Sequence, residues 1–141
     1  MHRDEILALM KRRLAAYALR DAAALAATHA ENGSVASPMG GVQEGRAEIE
    51  RVYKNWFSAF PDVRTEQDDL LIDGDRVVMM ARVSGTHSGD FLGLPASGRQ
   101  MECQMVSLMT VGEGLVVEER RIYDFTGLLV QIGVLKAKPS I

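Results

Sequence analysis

The chain is poor in the residues that most often announce a chemistry. Its 141 residues include one cysteine, three histidines and one tryptophan. Cys103 has no partner for an internal disulfide, and in an alternating strand pattern it reads as a buried free thiol. The histidines are scattered, and neither an HExxH run nor paired cysteines occur, so no metal site is expected. No dinucleotide fingerprint appears, so no bound organic cofactor is implied. No apolar run is long enough to cross a bilayer. The N-terminus sets acids beside its bases and lacks the apolar core of a signal peptide, so a cytoplasmic protein without membrane contact is expected. Positive charge is scarce too: 16 Lys and Arg stand against 19 Asp and Glu, a net charge of −3. The densest basic runs, Lys11 to Arg13 and Arg120 to Arg121, are short, which argues against nucleic acid as a partner.

What is present is the composition of a soluble globular domain, 47% hydrophobic and 25% charged. One domain over residues 1–141 is expected, able to remove roughly 68–70% of its unfolded surface from water.

The periodicity falls into two halves. Ile6, Leu9, Met10, Leu14 and Tyr17 follow helical spacing behind Asp4 as a cap. A second, Ala-rich helical stretch begins at Asp21 and ends at Asn32-Gly33, which places His29 near a helix C-terminus. Pro38 and Gly40-Gly41 interrupt an extended segment from Val35 to Val42, as in a bent edge pair. Gly45 precedes a third helix whose broad apolar face holds Ile49, Tyr53, Trp56 and Phe60, and Pro61 stops it. From Val63 onward the period changes to two. Turns at Asp73-Gly74-Asp75 and Gly112-Glu113-Gly114 divide strands from Arg64 to Ile72, Arg76 to His87, Arg99 to Val111 and Leu115 to Tyr123. A short helical tail spans Leu128 to Val134. The order predicts an α+β fold, a curved mixed or antiparallel sheet with about three helices on one face. Met79, Met101, Met105 and Met109 are candidates to line the uncovered face, and an apolar open face predicts a homodimer.

Two segments, GTHSGDFLGLPASGR (Gly85 to Arg99) and YDFTGLLVQIG (Tyr123 to Gly133), resemble the SnoaL-like polyketide cyclase (ester cyclase) family. That resemblance implies an NTF2-like cone with a ligand pocket inside it, and a cofactor-independent enzyme that abstracts a proton beside a carbonyl and stabilises the enolate. The implied ligand is a small hydrophobic carbonyl compound or a polycyclic ester. The alternative is a non-catalytic NTF2-like protein that binds a small hydrophobic metabolite. Family cyclases that close a ring by aldol chemistry carry an Asp on the last strand, in a segment like GKIVEHWD, and a His on the strand before it. Laying that segment on GLVVEERR puts Arg121 at the Asp position, and the His position falls near Ser107. The later family Asp is matched by Asp124.

Asp124, Arg121 and His87 are the candidate catalytic residues. Asp124 is either a base or the cap of the following helix. Arg121 either pairs with Glu119 or Asp124 or binds an anionic or enolic oxygen. His87 either serves in acid/base or ligand contacts or is locked by a loop carbonyl. Tyr17, Trp56, Phe60 and Phe91 would make an aromatic wall for a flat ligand or an ordinary core. Tyr123 is a further enolate donor, and Gln104 is an amide able to orient a carbonyl.

Overall fold

The protein is described by a computed structural model covering residues 1–136. Helix α1 (Arg3–Leu19) buries Ile6, Leu9, Met10, Arg13 and Ala16, a stripe at three- and four-residue spacing. It starts one residue before Asp4, with Glu5 Oε2 accepting from the His2 amide at 3.3 Å. Asp4 therefore lies in the first turn, where its charge suits the helix dipole. Arg20, at φ 51°, ends the helix by turning its amide onto the carbonyls of Ala16 and Tyr17.

Helix α2 (Ala22–Ala27) is capped by Asp21, whose side chain accepts from the Ala24 amide at 3.0 Å. It stops earlier than the alanine pattern suggests. The chain is extended from His29, because strand β1 (His29–Ser37) pairs in parallel with strand β6 (Leu115–Tyr123). Asn32-Gly33 thus lies inside a strand and not at a helix end. The register shifts between His29 and Ser34, and Gly33 sits where a Cβ would come within 3.1 Å of the Ala30 and Val117 carbonyl oxygens. Pairing with β6 has overridden the local helix propensity of the alanines.

The short edge strand β2 (Gly41–Glu44) forms a hairpin with β1. Helix α3 (Arg46–Ala59) buries Ile49, Tyr53 and Ala59. The remaining strands, β3 (Arg64–Asp73), β4 (Arg76–Thr86), β5 (Gln100–Gly112) and β6, form the expected antiparallel meander, and α4 (Phe125–Gln131) follows. The sheet order is β2-β1-β6-β5-β4-β3. This is the α+β arrangement the sequence predicts, with a mixed sheet because β1 runs parallel to β6.

Ile6, Leu9 and Met10 of α1 share a core with Val77, Met79, Ala81, Met105 and Met109 on the inner sheet face. Burying side chains of this size contributes about 1.5–3 kcal/mol each. The four methionines expected on the open face are therefore misplaced: Met79, Met101, Met105 and Met109 are all buried. Odd-numbered positions of β4 and β5 point inward, so the open face carries Met80, Val106 and Ile122 instead, which share one line of registered pairs.

One irregularity decides the site. Val111 pairs with Val116 and Thr110 with Glu118, so Val117 is the extra residue of a bulge in β6. Val116 is buried and Val117 exposed, after which the inward phase passes to Glu119, Arg121 and Tyr123. Two charged side chains enter the interior as a result.

Candidate functional site

Between α1, α3 and the inner face of β3–β6 lies a hollow of about 50 Å³. Its walls are Tyr17 from α1, Tyr53, Trp56 and Phe57 from α3, and Cys103 and Met105 from β5, with Arg121 and Tyr123 of β6 at the back. Arg121 is the one wall residue that carries a fixed charge.

Behind that wall is a buried polar cluster. Glu119 is fully buried. Its Oε2 accepts from the Ser107 hydroxyl at 2.6 Å, and its Oε1 accepts from Arg121 Nη2 at 3.1 Å. Arg13 Nη2 lies 3.5 Å from the same Oε1. Arg13 Nη1 donates to Thr28 Oγ1 at 2.7 Å and reaches His29 Nε2 at 3.1 Å, and the Tyr53 hydroxyl is 2.7 Å from that same nitrogen. A guanidinium can only donate, so His29 Nε2 is an acceptor and the neutral ring carries its proton on Nδ1. The 3.8 Å approach of His29 to Glu119 is then no ion pair.

The electrostatics follow from this packing. Burial alone would raise the Glu119 pKa, but Arg121 and Arg13 hold it well below the carboxylate range. Burial works against the Arg121 charge too, and Glu119 more than offsets it, so the guanidinium stays ionised. Burial and the neighbouring Arg13 push His29 down to about 3. Two guanidinium cations thus face one carboxylate beside a neutral imidazole.

The other faces of Arg121 are also defined. Its guanidinium lies 4.8 Å from the centroid of the Tyr53 ring, a cation–π contact that fixes its plane. Its Nε has no hydrogen-bond partner among the described residues, and neither has the Tyr123 hydroxyl, whose polar neighbours, Ser37 and the Met39 backbone, lie outside bonding geometry.

The residues singled out from sequence divide by place. Arg121, Tyr123, Tyr17 and Trp56 line the hollow. Phe60 and Phe91 pack in an adjoining core with Leu128 and Met101. His87 is buried against Phe60 and Phe91, with Nδ1 accepting from the Ser97 amide at 3.2 Å. Gln104 is exposed on the outer sheet face. Asp124 is exposed and caps α4, its Oδ1 accepting from the Gly127 amide at 2.8 Å.

Sequence reasoning did not single out Arg13, His29, Tyr53 or Ser107 for the site, and took Glu119 only as a partner for Arg121. Two signals were present. Arg13 continues the apolar stripe of α1, and strand alternation puts Glu119 and Arg121 on one face. His29 carried no such signal, because its strand depends on pairing with a segment nearly ninety residues away.

The model of the SnoaL-like polyketide cyclase family matches residues 8–132. The chain belongs to that family. AclR from Streptomyces galilaeus, a candidate hydroxylase, is 25% identical over 99% of this chain and 87% of its own, with a TM-score of 0.85. IdmH from Streptomyces antibioticus, a candidate polyketide cyclase, is 27% identical over 89% of this chain and 96% of its own, TM-score 0.74. An NTF2-like protein of unknown function from Burkholderia pseudomallei, 17% identical over 92% of this chain and 98% of its own, TM-score 0.78, confirms the NTF2-like fold. No curated protein sequence matches significantly.

In this SnoaL-like chain Ser107 lies opposite Arg121 as a cross-strand partner. Glu119 joins them, bonded to both.

Proposed function

We propose that the protein is a cofactor-independent cyclase-type enzyme that holds a small hydrophobic carbonyl compound in the aromatic hollow and stabilises its enolate. The observation that carries this reading is Arg121, buried and ionised at the back wall, with an Nε–H that has no partner among the described residues. A hydrogen beside a carbonyl becomes acidic when the oxygen that takes the charge is met by a fixed donor in a low-dielectric site. Arg121 and the Tyr123 hydroxyl are assigned that oxygen, and the enolate carbon then attacks a further, remote carbonyl of the same molecule to close the ring, the new alkoxide taking a proton from solvent. Asp124 stands outside the hollow and Glu119 is held as a weak base. The proton acceptor is therefore assigned to solvent, which suits a substrate with two carbonyls flanking one carbon.

The test is deuterium exchange at the central carbon of an aromatic 1,3-diketone in heavy water, followed by proton NMR. The protein is expected to speed exchange above the buffer rate, and Arg121→Met to return it to that rate. Exchange unaltered by the protein would sink the reading.

One observation favours binding without turnover. Glu119 and His29 are both displaced away from neutrality, towards more acidic values, so neither is poised to shuttle a proton at neutral pH. On that second reading the diketone is held and protected but does not exchange.

A further inference from the structure

The buried charges of this chain do not balance. Arg13 and Arg121 are 2% and 6% exposed, and among the described residues the one carboxylate in contact with them is Glu119 at 0%. His29 adds no counter-charge, since it is neutral with its acceptor nitrogen already engaged by Arg13 and Tyr53. A buried charge without a partner is costly, and folded proteins pair such groups or neutralise them. Arg121 and Arg13 share the single carboxylate of Glu119, so the cluster keeps one net positive charge.

The surplus is placed to act on a guest. Of the Arg121 guanidinium, Nη2 is tied to Glu119 and one side is covered by the Tyr53 ring. Its Nε–H and the Tyr123 O–H are unpartnered among the described residues, and both side chains line the same hollow. Two donors beside a net positive charge match an oxygen that is ionised before it arrives, and the walls of Tyr17, Trp56 and Phe57 match a flat apolar ring attached to it.

We propose that the hollow binds its ligand as an anion, the phenolate, enolate or carboxylate of a flat hydrophobic acid, seated on Arg121 and Tyr123. This rests on the proposed pocket and deepens it, since the ligand is charged in its resting form and not only at the transition state.

The groups facing Arg121 are Glu119 and Tyr123 from β6, Ser107 and Cys103 from β5, Arg13 and Tyr17 from α1, Tyr53 from α3 and His29 from β1. Burial pushes Tyr17, Tyr123 and Cys103 up, while Glu119 and His29 lie well on the acid side. A change of binding between about pH 6 and pH 8 therefore reports the probe's ionisation.

The probe is para-nitrophenol, whose phenolate is yellow, with nitrobenzene as the uncharged comparison. Calorimetric and absorbance titrations at about pH 6 are expected to show the bound probe as phenolate, at least about tenfold tighter than nitrobenzene. Arg121→Met should abolish the difference, and Tyr123→Phe should reduce it. Arg121→Met leaves Glu119 paired with Arg13. If that variant nonetheless fails to fold, the wild-type comparison of the two probes and the Tyr123→Phe titration decide. Equal binding of both probes, binding of neither, or an undiminished preference in Arg121→Met overturns the proposal. Phenolate binding without diketone exchange sinks the catalytic reading alone, and exchange by a protein that prefers nitrobenzene sinks this inference alone.

Discussion

Ser107 and Arg121 face each other across β5 and β6, and both bond to the carboxylate of Glu119. The centre of the molecule therefore depends on one negative charge. Replacing Glu119 by Gln leaves two buried guanidiniums repelling each other with no counter-ion. The expected loss is about 3–5 kcal/mol, the range for breaking a buried ion pair from one side. Urea unfolding measures it; a midpoint within error of wild type would mean that the cluster is solvated and not sealed. Ser107→Ala removes only one donor to the carboxylate, and about 1–3 kcal/mol is expected.

Stability should fall on the acid side sooner than carboxylates alone would cause. His29 is pushed from 6.5 to about 3 in the folded protein. The unfolded chain therefore takes up a proton on this ring over a range where the folded chain does not, and stability is lost as pH drops from about 6.5 towards 3. Glu119, also lowered, adds its loss below its ordinary value of 4.5. About 2 kcal/mol should disappear between about pH 6.5 and pH 4.5, at up to about 1.4 kcal/mol per unit. His29→Gln should flatten that part of the profile. An unchanged slope in the variant would assign the acid sensitivity to other groups.

Asp124 illustrates how a strand-end acid is to be read here. Its carboxylate accepts from the Gly127 amide, and α4 carries Leu128 into the adjoining core. Asp124→Ala is expected to lower stability by about 1 kcal/mol through loss of the cap. Diketone exchange and phenolate binding should be retained. A variant that folds normally but loses exchange would restore this residue as the base.

The same contrast shows what the sequence made legible. The strands of the meander and the apolar face of α3 follow from period-two and helical spacing, and alternation puts Glu119 and Arg121 on one face of β6 without saying that this face is the inner one. The family segments carried the fold. The bulge at Val117 and the strand at His29 were not legible. Both are set by pairing between β1, β5 and β6, partners distant in sequence. The methionine assignment failed for a related reason: alternation separates two faces but does not say which one the helices cover.

The loop from His87 to Arg99 yields the last prediction. The amides of Ser88 and Gly89 donate to the Ala59 carbonyl at 3.0 and 3.1 Å, fastening the loop to the C-terminal end of α3. A Cβ on Gly89 would meet the Ser58 carbonyl oxygen well inside contact distance, and backbone on both sides leaves no flexible atom to yield. His87 rides on the same segment, its amide bonded to the Arg99 carbonyl at 2.8 Å and its ring against Phe60. Gly89→Ala should therefore lift the loop from α3 at a cost of about 1–3 kcal/mol, typical of overpacking. Faster amide exchange at Ser88 and residue 89, with α1 unchanged, is the expected signature. Arg121 and Tyr123 are not fastened by this loop, so phenolate binding should persist. Wild-type exchange rates at both amides would show that the loop yields without strain.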